Sequence, residues 1–70
     1  MKLSARNRLT GTVTSINRGE AIANVVIDVG GGQRIVSSIT VEAVDELGLK
    51  EGSSATAIIK ASDVMIATDM

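Results

Sequence analysis

The sequence predicts an all-β fold, a five-stranded barrel of the OB type with one short helix between its third and fourth strands. Three observations lead there. Runs rich in Val, Ile and Thr alternate in part between apolar and polar residues, at the two-residue period of a strand. Turn residues at Asn17-Arg18-Gly19, Gly30-Gly31-Gly32 and Glu51-Gly52-Ser53 separate these runs. One stretch alone, after Thr40, changes to helical spacing. An SH3-like barrel is the nearest alternative.

The first strand is expected over residues 7–17, with Gly11 marking a bulge or strong bend of the kind a small barrel needs in order to curl. The second, over 21–29, is the clearest: Ala21, Ala23, Val25, Ile27 and Val29 share one face, while Asn24 and Asp28 share the other with Ile22 and Val26. Because that second face is half apolar too, the strand calls for cover on both sides. The glycine triplet then turns the chain into a third strand over 33–39, since only glycine reaches positive φ without a Cβ clash. It lacks the Lys-Ser/Thr and helix of a phosphate loop, and reads as a plain turn.

Thr40 is placed to cap a helix over 41–47, with Glu42 in its first turn and Val41, Val44 and Leu47 along one side. Gly48 ends it, and Leu49 falls where a Schellman ending brings a residue back onto Val44. Asp45 and Glu46 stand at the unfavourable end of the helix dipole, so packing has to hold this helix. A fourth strand is expected over 54–60 and a short fifth over 64–67. The whole chain, 1–70, reads as one domain without repeats or linkers.

A chain of 70 residues withdraws only about 60% of its unfolded surface by folding alone. Small domains compensate with disulfides, a structural metal or oligomerisation, and with no Cys and no His the first two have no ligands here. Self-association is the expectation. Aromatic residues are absent and the formal net charge is −1, whereas single-stranded nucleic acid is held by bases stacked on aromatics over a basic groove. Nucleic acid is therefore not an expected partner. No apolar run is long enough to span a bilayer, and Met1-Lys2-Leu3-Ser4-Ala5-Arg6 leads straight into polar sequence, so no membrane partner and a cytoplasmic location are expected.

The inventory argues against catalysis: nucleophile–base pairs of the usual kinds need His or Cys, and Glu42, Asp45, Glu46 and Glu51 cluster on or beside a solvated helix. Glu20, Asp28 and Asp63 are scattered, and no metal site is assembled from side-chain ligands. Two short segments remain. Ser4-Ala5-Arg6-Asn7 offers a hydroxyl, a guanidinium, an amide and backbone N–H groups, while Lys60-Ala61-Ser62 offers an ammonium, a second hydroxyl and the N–H groups of a turn. All of these donate, which suits a fully ionised tetrahedral oxyanion, and Ala5 and Ala61 let the backbone approach closely. The competing reading is ordinary surface charge and turn residues, or an assembly module in which Arg6 and Lys60 pair with a partner's carboxylates.

At these residues the sequence resembles the molbindins, the small molybdenum-pterin-binding (Mop) proteins, and the related TOBE domains. The likeness rests on Ser4-Ala5-Arg6-Asn7 with Leu9 and Gly11, on 17–29 leading into the glycine hairpin, on Ile39-Thr40, on Leu47-Gly48-Leu49 with Gly52, and on Lys60-Ala61-Ser62 with Val64. It implies molybdate or tungstate as bound ligand, no catalytic cofactor, and a homohexamer built as a trimer of dimers that share strands. It further implies sites between subunits, the first formed by Ser4, Ala5 and Arg6 with Lys60, Ala61 and Ser62 nearby. A second type, on a threefold axis, would draw backbone donors from Arg18-Gly19-Glu20-Ala21-Ile22, although Glu20 puts an acid there. Ser4, Arg6, Lys60 and Ser62 are thus expected to meet across a subunit boundary.

Overall fold

The computed structural model describes residues 4–69, so the opening Met1-Lys2-Leu3 and Met70 lie outside it. The elements follow in the order β1 (Asn7–Arg18), β2 (Ile22–Gly30), β3 (Gln33–Thr40), α1 (Val41–Glu46) and β4 (Ser54–Ile59), with a 3-10 turn, η1 (Ala61–Asp63), at the end. The strands form one antiparallel sheet in the order β3-β2-β1-β4. It curls until its edge strands β3 and β4 face one another across a groove.

β2 lies where a strand with one strongly apolar face belongs, in the middle of the sheet, and its Ala23, Val25 and Ile27 are buried. They pack with Val13 of β1 and Val44 of α1. Ala21 stands just outside the strand and is exposed. The glycine hairpin forms as expected, with Gly31 and Gly32 at φ 63° and 77°, the positive values that a two-residue turn matching the strand twist requires.

The bend in β1 is built differently from the expectation. The pairing with β2 runs Val13↔Ile27 and then Ser15↔Val26, so the extra residue of the bulge is Thr14 rather than Gly11. The bulge switches the parity of the residues that face the core, from Val13 before it to Ile16 after it, and this is why the alternation looks imperfect in sequence. Gly11 has another task. A Cβ there would overlap the Asp28 carbonyl oxygen, so glycine is what allows β1 and β2 to close in where the sheet curls.

Thr40 caps α1, its Oγ1 accepting the Ala43 N–H at 3.0 Å. The helix ends one residue earlier than expected, with Leu47 as C-cap, followed by the Schellman pair of bonds from the Gly48 N–H to Asp45 O and from the Leu49 N–H to Val44 O. Val44 is fully buried, and burying a side chain of that size contributes about 1.5–3 kcal/mol. That matches or exceeds the combined handicap of Asp45 and Glu46 at the C-terminal end, roughly 0.6–2 kcal/mol at 0.3–1 each.

The expected fifth strand over 64–67 is absent: residues 64–69 have no regular structure, and the described chain contributes four strands rather than five. The chain leaves the sheet at η1, so Val64, Met65 and Ile66 run on with no strand beside them in their own chain, 46%, 93% and 86% exposed. β propensity without a ladder partner makes no strand. Between the edge strands the groove, about 620 Å³, is lined by apolar groups including Ile35, Ile39, Leu49, Ala55, Ala57 and Ile59. No helix among the described residues is long and apolar enough to cross a membrane.

Candidate anion site

The ladder between β1 and β4 decides where the two donor segments lie. Its terminal rung pairs Asn7, the first residue of β1, with Ile59, the last of β4. One step outward along the chain from this rung come Arg6 on one side and Lys60 on the other, and beyond them Ser4-Ala5 and Ala61-Ser62. Both segments therefore emerge side by side from one end of one sheet. Antiparallel pairing thus brings the two segments to the same end of the sheet within one chain.

Across this end the Asn7 Nδ2 donates to the Ile59 carbonyl oxygen at 3.2 Å, a half-buried bond. Ser4, Arg6, Lys60, Ala61 and Ser62 are exposed and Ala5 is half-buried. No described residue forms an ion pair with Arg6 or Lys60. Like charges just beyond a shared strand end repel, and an anion held between them would relieve that repulsion. In η1 the Asp63 N–H donates to Lys60 O at 2.9 Å and the Val64 N–H to Ala61 O at 3.2 Å. The N–H groups of Ala61 and Ser62, earlier in the turn, have no such backbone acceptor among the described residues.

One cation escaped the reading of the sequence. Arg8 is exposed, pairs in register with Ile58 on β4, and lies two residues along the chain from Arg6, which precedes β1. The period-two spacing of Arg6 and Arg8 was the signal for it. Asp63 is the nearest acid in sequence to the second segment, at the end of η1.

The other end of the sheet has the opposite character. In the connection from β1 to β2 the Gly19 N–H donates to Ile22 O, and Ala21 O accepts the Val41 N–H. Arg18 reaches away to Asp45, its Nη2 donating to Oδ1 at 3.0 Å. The shallow depression beside this turn is lined by Glu20, Glu42 and Asp45 together with Ala21, Thr40 and Val41. Within one chain the Arg18-Gly19-Glu20-Ala21-Ile22 turn therefore brings Glu20 beside Glu42 and Asp45 of α1, with its one cation, Arg18, already paired. The groove between β3 and β4 holds no cation, and it includes neither donor segment. Among the described residues no cluster of His, Cys, Asp or Glu is arranged to hold a metal ion.

Comparison with known proteins matches this architecture. The sequence fits the TOBE domain over residues 3–66. It is 49% identical over 69 residues to a probable molybdenum-pterin-binding protein of Haemophilus influenzae, covering 99% of this chain and 100% of that protein. Among solved structures, MopII from Clostridium pasteurianum superposes with a TM-score of 0.89 at 45% identity, covering 96% of this chain and 100% of that one. The cytoplasmic molybdate-binding protein ModG, in a form with molybdate bound, superposes with a TM-score of 0.90 at 55% identity over 93% of this chain and 46% of its own. With the family match spanning nearly the whole chain and the same curled sheet recurring in these relatives, the chain belongs to the TOBE domain family, alongside the molybdenum-pterin-binding proteins.

Proposed function

We propose that this chain is a non-catalytic binding protein for molybdate, and for tungstate of the same shape and charge, serving intracellular storage or homeostasis of the oxyanion. The observation that carries this reading is the juxtaposition of Ser4-Ala5-Arg6 and Lys60-Ala61-Ser62 at one sheet end, with two opposed cations that no described carboxylate neutralises. The resemblance to a protein solved with molybdate bound supports the choice of ion. A tetrahedral dianion accepts hydrogen bonds and donates none, so a shell of hydroxyl, guanidinium, ammonium and backbone N–H donors is matched to it. Each charge-assisted bond contributes roughly 1.5–3 kcal/mol net, opposed by desolvation of the ion and of Arg6. Capture and release need no covalent step.

The working form is a homo-oligomer, a hexamer arranged as a trimer of dimers. Two features favour assembly: the apolar groove between β3 and β4 is too large for a chain of this size to leave wet, and the apolar Val64, Met65 and Ile66 lie bare beyond η1. A second subunit covers the first and gives the second a strand to pair with, completing a five-stranded barrel. The donor segments are exposed in the single chain, so the neighbouring subunit supplies the cover that turns them into a partly buried site. A cytoplasmic location is in keeping with the description of ModG.

Calorimetric titration with molybdate, tungstate and sulfate tests this directly. Heat and a mass increase are expected with the first two, and weaker binding with the smaller sulfate. Silence with molybdate and tungstate alike would sink the reading. Because a ligand held between subunits stabilises the assembled state by mass action, molybdate at about 100 times its Kd should add about 2.7 kcal/mol and raise the melting temperature.

A further inference from the structure

We infer that Asn7 is a positioning residue of the oxyanion site and not one of its ligands: by holding the Ile59 carbonyl it keeps the two donor segments at a fixed separation. This rests on the oxyanion reading above. Read from sequence, Asn7 is one more donor beside Ser4, Ala5 and Arg6; the sheet gives it a different place. Along β1 before the Thr14 bulge Asn7, Leu9 and Gly11, alternating with Arg8, Thr10 and Thr12, share the side of the buried Val13; Asn7 and Gly11 are half-buried and Leu9 is 39% exposed, while Arg8, Thr10 and Thr12 are outward and exposed. On β4 the inward positions are Ala55, Ala57 and Ile59, and Ser54, Thr56 and Ile58 are outward. Carried one step beyond the last rung, the same alternation puts Arg6 and Lys60 on the outward face with Arg8, across the sheet from the Asn7 amide. An anion between Arg6 and Lys60 lies on the wrong side for that amide to reach it.

What the amide does instead is visible in its bond. Nδ2 donates to Ile59 O at 3.2 Å, joining residues that are 52 positions apart in sequence, at the terminal rung of the β1–β4 ladder. Strand ends fray, and this one carries two like charges immediately outside it, which push the segments apart in the absence of ligand. A side-chain bond across the final rung opposes that separation. The site is then spaced before the anion arrives, and binding spares the entropy of bringing two loose segments together.

The test uses the intact protein with sodium molybdate as probe and two variants, Asn7→Leu, which keeps the shape and removes the donor, and Asn7→Ser, which keeps a shorter donor. The expected result is molybdate affinity about 10- to 100-fold lower in Asn7→Leu, by analogy with the range for groups that orient the ligands of a metal ion, with partial recovery in Asn7→Ser. Amide hydrogen exchange at residues 60–63 of the ligand-free protein should be faster in Asn7→Leu, with the assembly and its melting temperature little changed. Weakened affinity with ligand-free exchange unchanged would overturn the inference by making Asn7 a direct donor. Faster exchange with affinity unchanged would overturn it by making the bond structural only. A wild-type protein that takes up no molybdate would instead bring down the oxyanion reading itself, and that titration is read separately from the variants.

Discussion

The two ends of β1 carry an arginine each, in opposite circumstances. Arg18, at the end near α1, is paired with Asp45 in a neighbourhood of Glu20 and Glu42. Arg6, just before the strand begins, lies one residue beyond the Asn7–Ile59 rung, as Lys60 does on the other strand, and has no ion-pair partner among the described residues. The same side chain is a closed account at one end and an open demand for negative charge at the other. Residue type alone does not separate them; the fold does, since α1 sets Asp45 near one and the β1–β4 ladder ends with Lys60 just beyond it, on the side of the other.

The sharpest way to break the contrast is to remove the open demand. The double variant Arg6→Ala with Lys60→Ala takes away two charge-assisted contacts, about 3–6 kcal/mol together, or roughly two to four orders of magnitude in molybdate affinity. Sedimentation should show the oligomer intact. An assembly that instead falls apart would mean that the cations pair with a partner's carboxylates, and would turn the basic end into an interface.

Gly11 tests the scaffold between the two ends. Because a Cβ there overlaps backbone, the Asp28 carbonyl, rather than a movable side chain, Gly11→Ala should force β1 and β2 apart and cost about 1–3 kcal/mol, read from urea unfolding. Leaving stability unchanged would show that the curl of the sheet does not depend on this close approach.

That glycine also shows which parts of the fold are legible in sequence. Local chemistry could be read residue by residue: the Thr40 cap, the Gly48-Leu49 ending, the glycine hairpin and the inward face of β2 depend on neighbours a few positions away. The bulge at Thr14 could not, because its place is fixed by register against β2, and a threonine carries no local mark of it. The segment 64–67 was misread for a related reason: its composition is that of a strand, but a strand also needs a ladder partner, which its own chain does not offer. At the site, residue types gave the two donor segments, while their adjacency, the exposure of Arg8 and the engagement of Asn7 with Ile59 came only with the pairing of β1 and β4.

A smaller effect sharpens the separation of the ends. Thr40→Ala deletes the cap that accepts the Ala43 N–H and should cost about 1 kcal/mol of stability. Since α1 lies at the acidic end, molybdate affinity should stay within twofold of the wild type. A parallel fall in affinity would show that the helix and the donor segments are coupled through the sheet.

The smallest effect is expected at the pair that gives the acidic end its closed character. Arg18 and Asp45 are bonded at 3.0 Å, yet their side chains are 46% and 63% exposed, so solvent screens the attraction and holding two side chains still offsets much of it. Arg18→Ala should change stability by about 0.2–1 kcal/mol, shrinking further as salt is raised. Asp45→Asn should cost no more, because it removes a negative charge from the C-terminal end of α1, where the dipole disfavours one. A loss of several kcal/mol in either variant would mean that water is excluded from the pair in the assembled protein. The acidic end would then be buried against another subunit, and the contrast between the ends would become one between two interfaces.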